Sequence, residues 1–128
     1  MSNLLREQDY LRHIEEAIAR IQRYLDGKTE NDFLSDDLIQ DAVIRNLEII
    51  GEAVSKLGGD LKAQYSYIPW QEISGMRNRL IHGYFSVNLS IVWDTVNNVL
   101  PDFMGKITVI RDDMDHLGQN KPKGISPR

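Results

Sequence analysis

Between Asp9 and Asp26 the apolar residues Leu11, Ile14, Ile18, Ile21 and Leu25 recur three and four apart, the stripe of an amphipathic helix. Gly27 is placed to end that helix in a left-handed conformation. Ser35, followed by Asp36 and Asp37, predicts an N-cap with acids in the first turn, where the helix dipole favours negative charge. The second helix is expected to reach about Leu57, with Gly58 and Gly59 as its stop. Its apolar positions, from Leu38 and Ile39 through Val43, Leu47, Ile50 and Val54 to Leu57, cover more than one stripe. A helix apolar on two sides belongs at the centre, touching two neighbours. Arg45, Glu48 and Glu52 read as its exposed face.

Pro69 fits the first turn of a third helix, where its missing N–H costs nothing. Trp70, Ile73, Met76 and Leu80 form the stripe of that helix, and Gly83 is placed to close it. Asn88 is the expected cap of a fourth helix striped by Val92, Val96, Val99, Phe103, Ile107 and Ile110. Pro101 is expected to kink this helix near Asn97, where the ring meets the carbonyl four residues back. Strand-like alternation is absent. These elements predict an all-α protein, a four-helix up-and-down bundle with a kinked last helix. The expected helical domain covers residues 1–117, and residues 118–128, rich in Lys, Pro and Gly, are expected to be a flexible, disordered basic tail.

Composition narrows the function classes. The 128 residues are 27% charged and 41% hydrophobic, in keeping with one soluble domain. No apolar run approaches the roughly 20 residues that span a bilayer, and the first residues lack an export signal, so a cytoplasmic location is expected and no membrane partner. With no cysteine, disulfides, thiolate metal sites and a cysteine nucleophile are excluded. A net charge of -4 argues against a general nucleic-acid coat but leaves room for a small cationic site. No basic recognition helix is present, so duplex DNA is not an expected partner. His13 and His116 have no metal-ligand spacing with each other or with His82. Asp36, Asp37 and Asp41 could hold a cation, but helix-terminus charge explains the first two better, and there is no Gly-rich phosphate loop, so neither metal nor cofactor is expected.

One stretch carries chemistry that packing does not need: Arg77-Asn-Arg-Leu-Ile-His-Gly-Tyr84. Residues five apart on an α-helix point roughly 140° away from each other, so Arg77 and His82 would not share a face. Asn78 and His82, four apart, would share one, and Asn78 could orient the imidazole. Two routes bring Arg77 and His82 to one target: the helix unwinds at Gly83, or a second copy faces the first across a two-fold axis. The second route is favoured, since it gathers two arginines and two histidines at one cleft. Such a cleft suits metal-free RNA cleavage. A histidine can take the proton of a ribose 2′-hydroxyl, and arginine stabilises the charge that develops on the phosphate. Arg79 is better placed to hold RNA than to react. Read alone, an Arg and a His at this spacing are more often surface charge and a hydrogen-bonded imidazole, and Tyr84 a packed aromatic.

The flanking residues sharpen the reading. Ile68-Pro-Trp-Gln-Glu-Ile, Met76-Arg-Asn-Arg-Leu-Ile-His-Gly-Tyr-Phe, Ile91-Val-Trp-Asp, Leu100-Pro and Arg45-Asn-Leu-Glu-Ile-Ile-Gly-Glu-Ala together resemble the HepT-like branch of the HEPN superfamily, in order, from Leu11 to about Ile110. That resemblance implies a homodimeric four-helix bundle with a composite Arg-x4-His site and metal-independent endoribonuclease activity. It also implies the toxin of a type VII-like toxin–antitoxin pair. The implied partner is a minimal nucleotidyltransferase antitoxin that transfers AMP to the motif tyrosine. Arg77 and His82 would then be catalytic, Asn78 and Arg79 supporting, and Tyr84 the AMPylated residue. Residue 83 is glycine here, whereas an acidic residue is common in relatives, which puts the antitoxin's approach to Tyr84 in question. The alternative of another class is a non-catalytic helical module that only binds a nucleotidyltransferase.

Overall fold

A computed structural model describes residues 2–76, 81–82 and 86–120. Three long helices organise it: α1 (Ser2–Leu25), α3 (Asp37–Lys56) and α7 (Leu100–Asn120). The short helices α2 (Glu30–Leu34), α4 (Gly59–Gln64) and α5 (Trp70–Ser74) fill the connections, and α6 (Leu89–Asn98) leads into α7. The architecture is the expected all-α bundle.

The predicted stripes are its core. Leu11, Ile14, Ile18 and Ile21 of α1 are at most 1% exposed, and Val43, Leu47, Ile50 and Val54 of α3 at most 2%. Burying each such side chain contributes about 1.5–3 kcal/mol. α3 is central as expected, with α1 against one side and α5 against another, while α1 also packs on α7. Polar bonds stitch the same seam. Arg20 Nε donates to Asn46 Oδ1 at 2.8 Å, and Asn46 Nδ2 donates to the Ala42 carbonyl at 2.8 Å, so the buried amide of Asn46 is satisfied on both ends. Arg111 and Thr108 of α7 donate to the two carboxylate oxygens of Glu15 on α1, at 2.6 and 3.0 Å.

Helix ends differ from expectation, and at α2 and α3 the caps give the reason. Asp36, not Ser35, caps α3, its Oδ1 accepting from the N–H groups of Leu38 and Ile39 at 3.1 and 3.2 Å. Ser35 closes α2 instead, a helix the stripe analysis did not foresee because it has five residues. The capping box of α2 is reciprocal, with Asp32 N–H to Thr29 Oγ1 at 3.1 Å and Thr29 N–H to Asp32 Oδ2 at 2.9 Å. Gly27, at φ +74°, turns the chain after α1 as expected. α1 itself begins at Ser2, seven residues ahead of the expected Asp9. α3 ends at Lys56 on a Leu57 C-cap, and Gly59, expected as a stop, starts α4.

Asn88 caps α6 as predicted, its Oδ1 accepting from Ile91 N–H at 3.1 Å. The expected kink is a break at Val99, between α6 and α7. Pro101 supplies no N–H for the Asn97 carbonyl, so the helical ladder is interrupted there and restarts. α7 continues to Asn120, past the expected domain edge at residue 117, and residues 121–128 lie outside the described residues. Among the described residues no helix is long and apolar enough to cross a membrane.

Candidate active site

α5 leads the chain to the Arg77 stretch, and its apolar side is held. Pro69 is its N-cap, so the helix starts at Trp70, one residue later than expected. The Trp70 indole N–H donates to the carbonyls of Lys62 and Tyr65 at 3.2 and 3.1 Å, and its ring meets Phe103 of α7 edge-on at 6.2 Å. Ile73 and Met76 are 2% and 1% exposed. Beneath them runs α3, at Gly51. A Cβ on Gly51 would sit 3.4 Å from the Ser74 carbonyl and 3.8 Å from that of Ile73, so alanine would fit at contact and a larger side chain would not. Sequence reasoning used Gly51 only as part of the Gly-Glu-Ala pattern. A glycine inside a helix apolar on two sides is itself a signal of close backbone approach.

Beyond Met76, the structure places His82 but not its partners. Arg77, Asn78, Arg79, Leu80, Gly83 and Tyr84 lie outside the described residues. His82 lies on β1 (Ile81–His82), which pairs antiparallel with β2 (Ser86–Val87), Ile81 opposite Val87 and His82 opposite Ser86. The expectation of a helix running to Gly83 is therefore corrected, because the backbone is already extended at Ile81. β-branched Ile81 and Val87 suit a pleated pair better than a helix end. The helical relation of Asn78 to His82 and the roughly 140° divergence of Arg77 from His82 both fall with it. The chain is extended at Ile81, two residues before Gly83, and how Arg77 meets His82 lies outside the described residues. The two-fold argument no longer follows from helical geometry and rests on resemblance.

The other histidines stand apart from this stretch. His13 is exposed on α1, beside a shallow cavity of about 140 Å³ lined also by Tyr10, Ile49, Glu52, Ala53 and Lys56. His116 Nδ1 lies 2.9 Å from the Asp112 carbonyl one turn back on α7. Among the described residues no group of three or more His, Cys, Asp or Glu side chains is arranged to hold a metal ion. Among the described residues two groups have displaced pKa values. Burial, and then the bond its hydroxyl donates to Asp113 Oδ2 at 2.9 Å, push Tyr65 up to about 12. The Thr29 backbone N–H, and then its hydroxyl, hold Asp32 below the ordinary aspartate value.

With α5 and the strand pair placed, comparison with known sequences decides the family. The description "Ribonuclease HepT-like" fits residues 14–110, a span that contains the whole Arg77–Tyr84 stretch. The chain belongs to the HepT-like ribonuclease family. It is 43% identical over 104 residues to the "Probable ribonuclease HepT" of Thermococcus cleftensis, covering 81% of this chain and 94% of that protein. It is 42% identical over 112 residues to the "Gamma-glutamylcyclotransferase and putative RNase MJ0434" of Methanocaldococcus jannaschii, covering 88% of this chain. That second relative is a longer protein, and the chain spans 50% of its length. No solved structure matches the chain at a significant level.

Proposed function

We propose that this HepT-like chain is a metal-independent endoribonuclease and the toxin of a toxin–antitoxin pair. The observation that carries the reading is the family match over residues 14–110 with Arg77, His82 and Tyr84 all intact inside it. In the proposed reaction a His82 imidazole removes the proton of a ribose 2′-hydroxyl and the 2′-oxygen attacks the adjacent phosphorus. The bond to the 5′-oxygen breaks, and a second His82, from the other copy of a homodimer, protonates that leaving oxygen. Arg77 donates hydrogen bonds to the phosphate oxygens as negative charge builds on them. Asn78 and Arg79 support the site and hold RNA. DNA lacks the 2′-hydroxyl and would not react.

Control belongs to Tyr84 in this reading. A minimal nucleotidyltransferase antitoxin would transfer AMP to the Tyr84 hydroxyl with loss of pyrophosphate from ATP. The added phosphate sits two residues from His82 and would repel incoming RNA by like charge. The test has two arms. Purified protein with RNA in EDTA should cut as wild type, and His82→Ala and Arg77→Ala should each lose roughly 10²–10⁴-fold in rate. Cleavage that survives both substitutions sinks the catalytic assignment, and wild type that never cuts leaves only the partner-binding module. Co-expression with the nucleotidyltransferase should add AMP mass to wild type and none to Tyr84→Phe, which should still cut.

A further inference from the structure

From the arrangement around Tyr67 we infer a stacking platform for a base of single-stranded RNA, at the opposite end of α5 from the Arg77 stretch. This rests on the RNA-directed reading above and adds to it a binding subsite outside the motif. Tyr67 is 60% exposed, yet its neighbours are fixed: Ile68 is 2% and Trp70 7% exposed. Ile68 N–H donates to the Tyr65 carbonyl at 3.1 Å, Trp70 N–H to the Ile68 carbonyl at 2.8 Å, and the Trp70 indole to Lys62 and Tyr65. A loop this well bonded has no need to leave a large aromatic in water.

The ring is also braced. Tyr65 meets it edge-on, centroids 6.5 Å apart and planes at 66°. Tyr65 is in turn tied to α7 by its bond to Asp113. Lys106 of α7 places its Nζ 5.7 Å from the Tyr67 centroid and 2.9 Å from Asp102 Oδ2. Lys106 lies over one face of the ring, so a base would stack on the face turned to solvent, and aromatic stacking of that kind is what sequence-tolerant binding of single strands uses. Duplex RNA is a poor occupant, since its bases already stack on each other.

Charge fixes which force dominates. Lys106 is already neutralised by Asp102, and Asp113 lies on the same helix, so little is gained from phosphate and the platform works by stacking. α5, five residues long, rises about 7.5 Å. It ends one residue short of Gly75 and two short of Met76, after which Arg77 follows in the chain.

The test is fluorescence anisotropy with a short fluorescein-labelled 2′-O-methyl oligonucleotide, single-stranded and uncleavable for want of a free 2′-hydroxyl. Tyr67→Ala should weaken binding about tenfold. Tyr67→Phe and Tyr67→Trp should bind like wild type, because a ring is needed and a hydroxyl is not. The slope of affinity against salt should be the same in wild type and Tyr67→Ala, since no phosphate contact is lost. Equal affinity in wild type and Tyr67→Ala overturns the platform, as does a wild type that does not bind the oligonucleotide. Wild type that binds through Tyr67 but cuts no RNA supports the platform and sinks the nuclease reading instead.

Discussion

The seam between α1 and α3 and the stretch from Met76 to Asn88 are built on opposite logics. Along the seam, Ile14, Ile18, Leu47 and Ile50 repeat at helical spacing and vanish from solvent, and the one amide among them, Asn46, is bonded at both ends. By Ile81 the backbone is no longer helical. A two-residue strand pair stands there instead, carrying His82 opposite Ser86, with the buried Met76 before it and the Asn88 cap after it. The seam spends its residues on burial. The stretch carries, in sequence, the arginines, histidine and tyrosine that a packed core does not need. Stability and activity should therefore separate between these two regions, and substitutions can test the separation.

The largest effect on folding is expected in the seam. Ile50→Ala empties a fully buried site on the central helix and should cost about 2–5 kcal/mol in urea unfolding. The fraction that remains folded should cut RNA at the wild-type rate. His82→Ala should show the reverse, large loss of cleavage with unfolding shifted by no more than about 0.5 kcal/mol. Comparable unfolding losses for both would mean the strand pair is part of the core, and the contrast would fail.

A smaller effect sharpens the same comparison within the seam. Asn46→Ala leaves the Arg20 guanidinium without its acceptor at a half-buried site, and should cost about 1–3 kcal/mol. Asn46→Ala combined with Arg20→Met removes both partners and should recover part of that loss. A double variant as unstable as the sum of the singles would show that the two side chains act independently. Smaller again is Asp36→Ala, which strips the two accepted N–H bonds from the start of α3 and should cost about 1 kcal/mol by the same measurement.

The seam was legible in the sequence because period and burial are the same fact: residues three and four apart must face one way, and the apolar ones must face in. Gly27 and Asn88 were legible for a related reason, each being the residue type its local geometry demands. α2 and α4 were not, since five or six residues give no measurable period, and their signals are caps such as Thr29 with Asp32. At the candidate site, the residue types pointed to the chemistry while the backbone did not announce itself. Trp70, Ile73 and Met76 set up a helical stripe that Leu80 extends on paper, and nothing in that stripe reveals that Ile81 is already paired with Val87. Tyr67 escaped notice altogether, because its exposure depends on Ile68 and Trp70 being locked from below.

The smallest expected effect lies outside both regions, at α2. α2 belongs to neither, but its Phe33 is fully buried and its ring lies 5.7 Å from that of Trp93 on α6, the helix that follows the strand pair. Its capping box depends on an ionised Asp32, whose pKa the Thr29 N–H and hydroxyl hold below the ordinary value. A depressed folded-state pKa contributes stability that is fully present above the unfolded value, about 3.9, and is lost as pH falls through the folded value. Asp32→Asn keeps the shape and removes the charge, so wild type should be slightly the more stable at pH 7. That advantage should stay level down to about pH 5, shrink as pH falls below about 3.9, and vanish only below the depressed folded value, where folded wild type is also neutral at this position. Urea unfolding of the two proteins across that range reads the difference directly. An advantage that persists undiminished in acid would place the stabilising feature in the shape of the box, and Asp32 would then hold α2 without its charge.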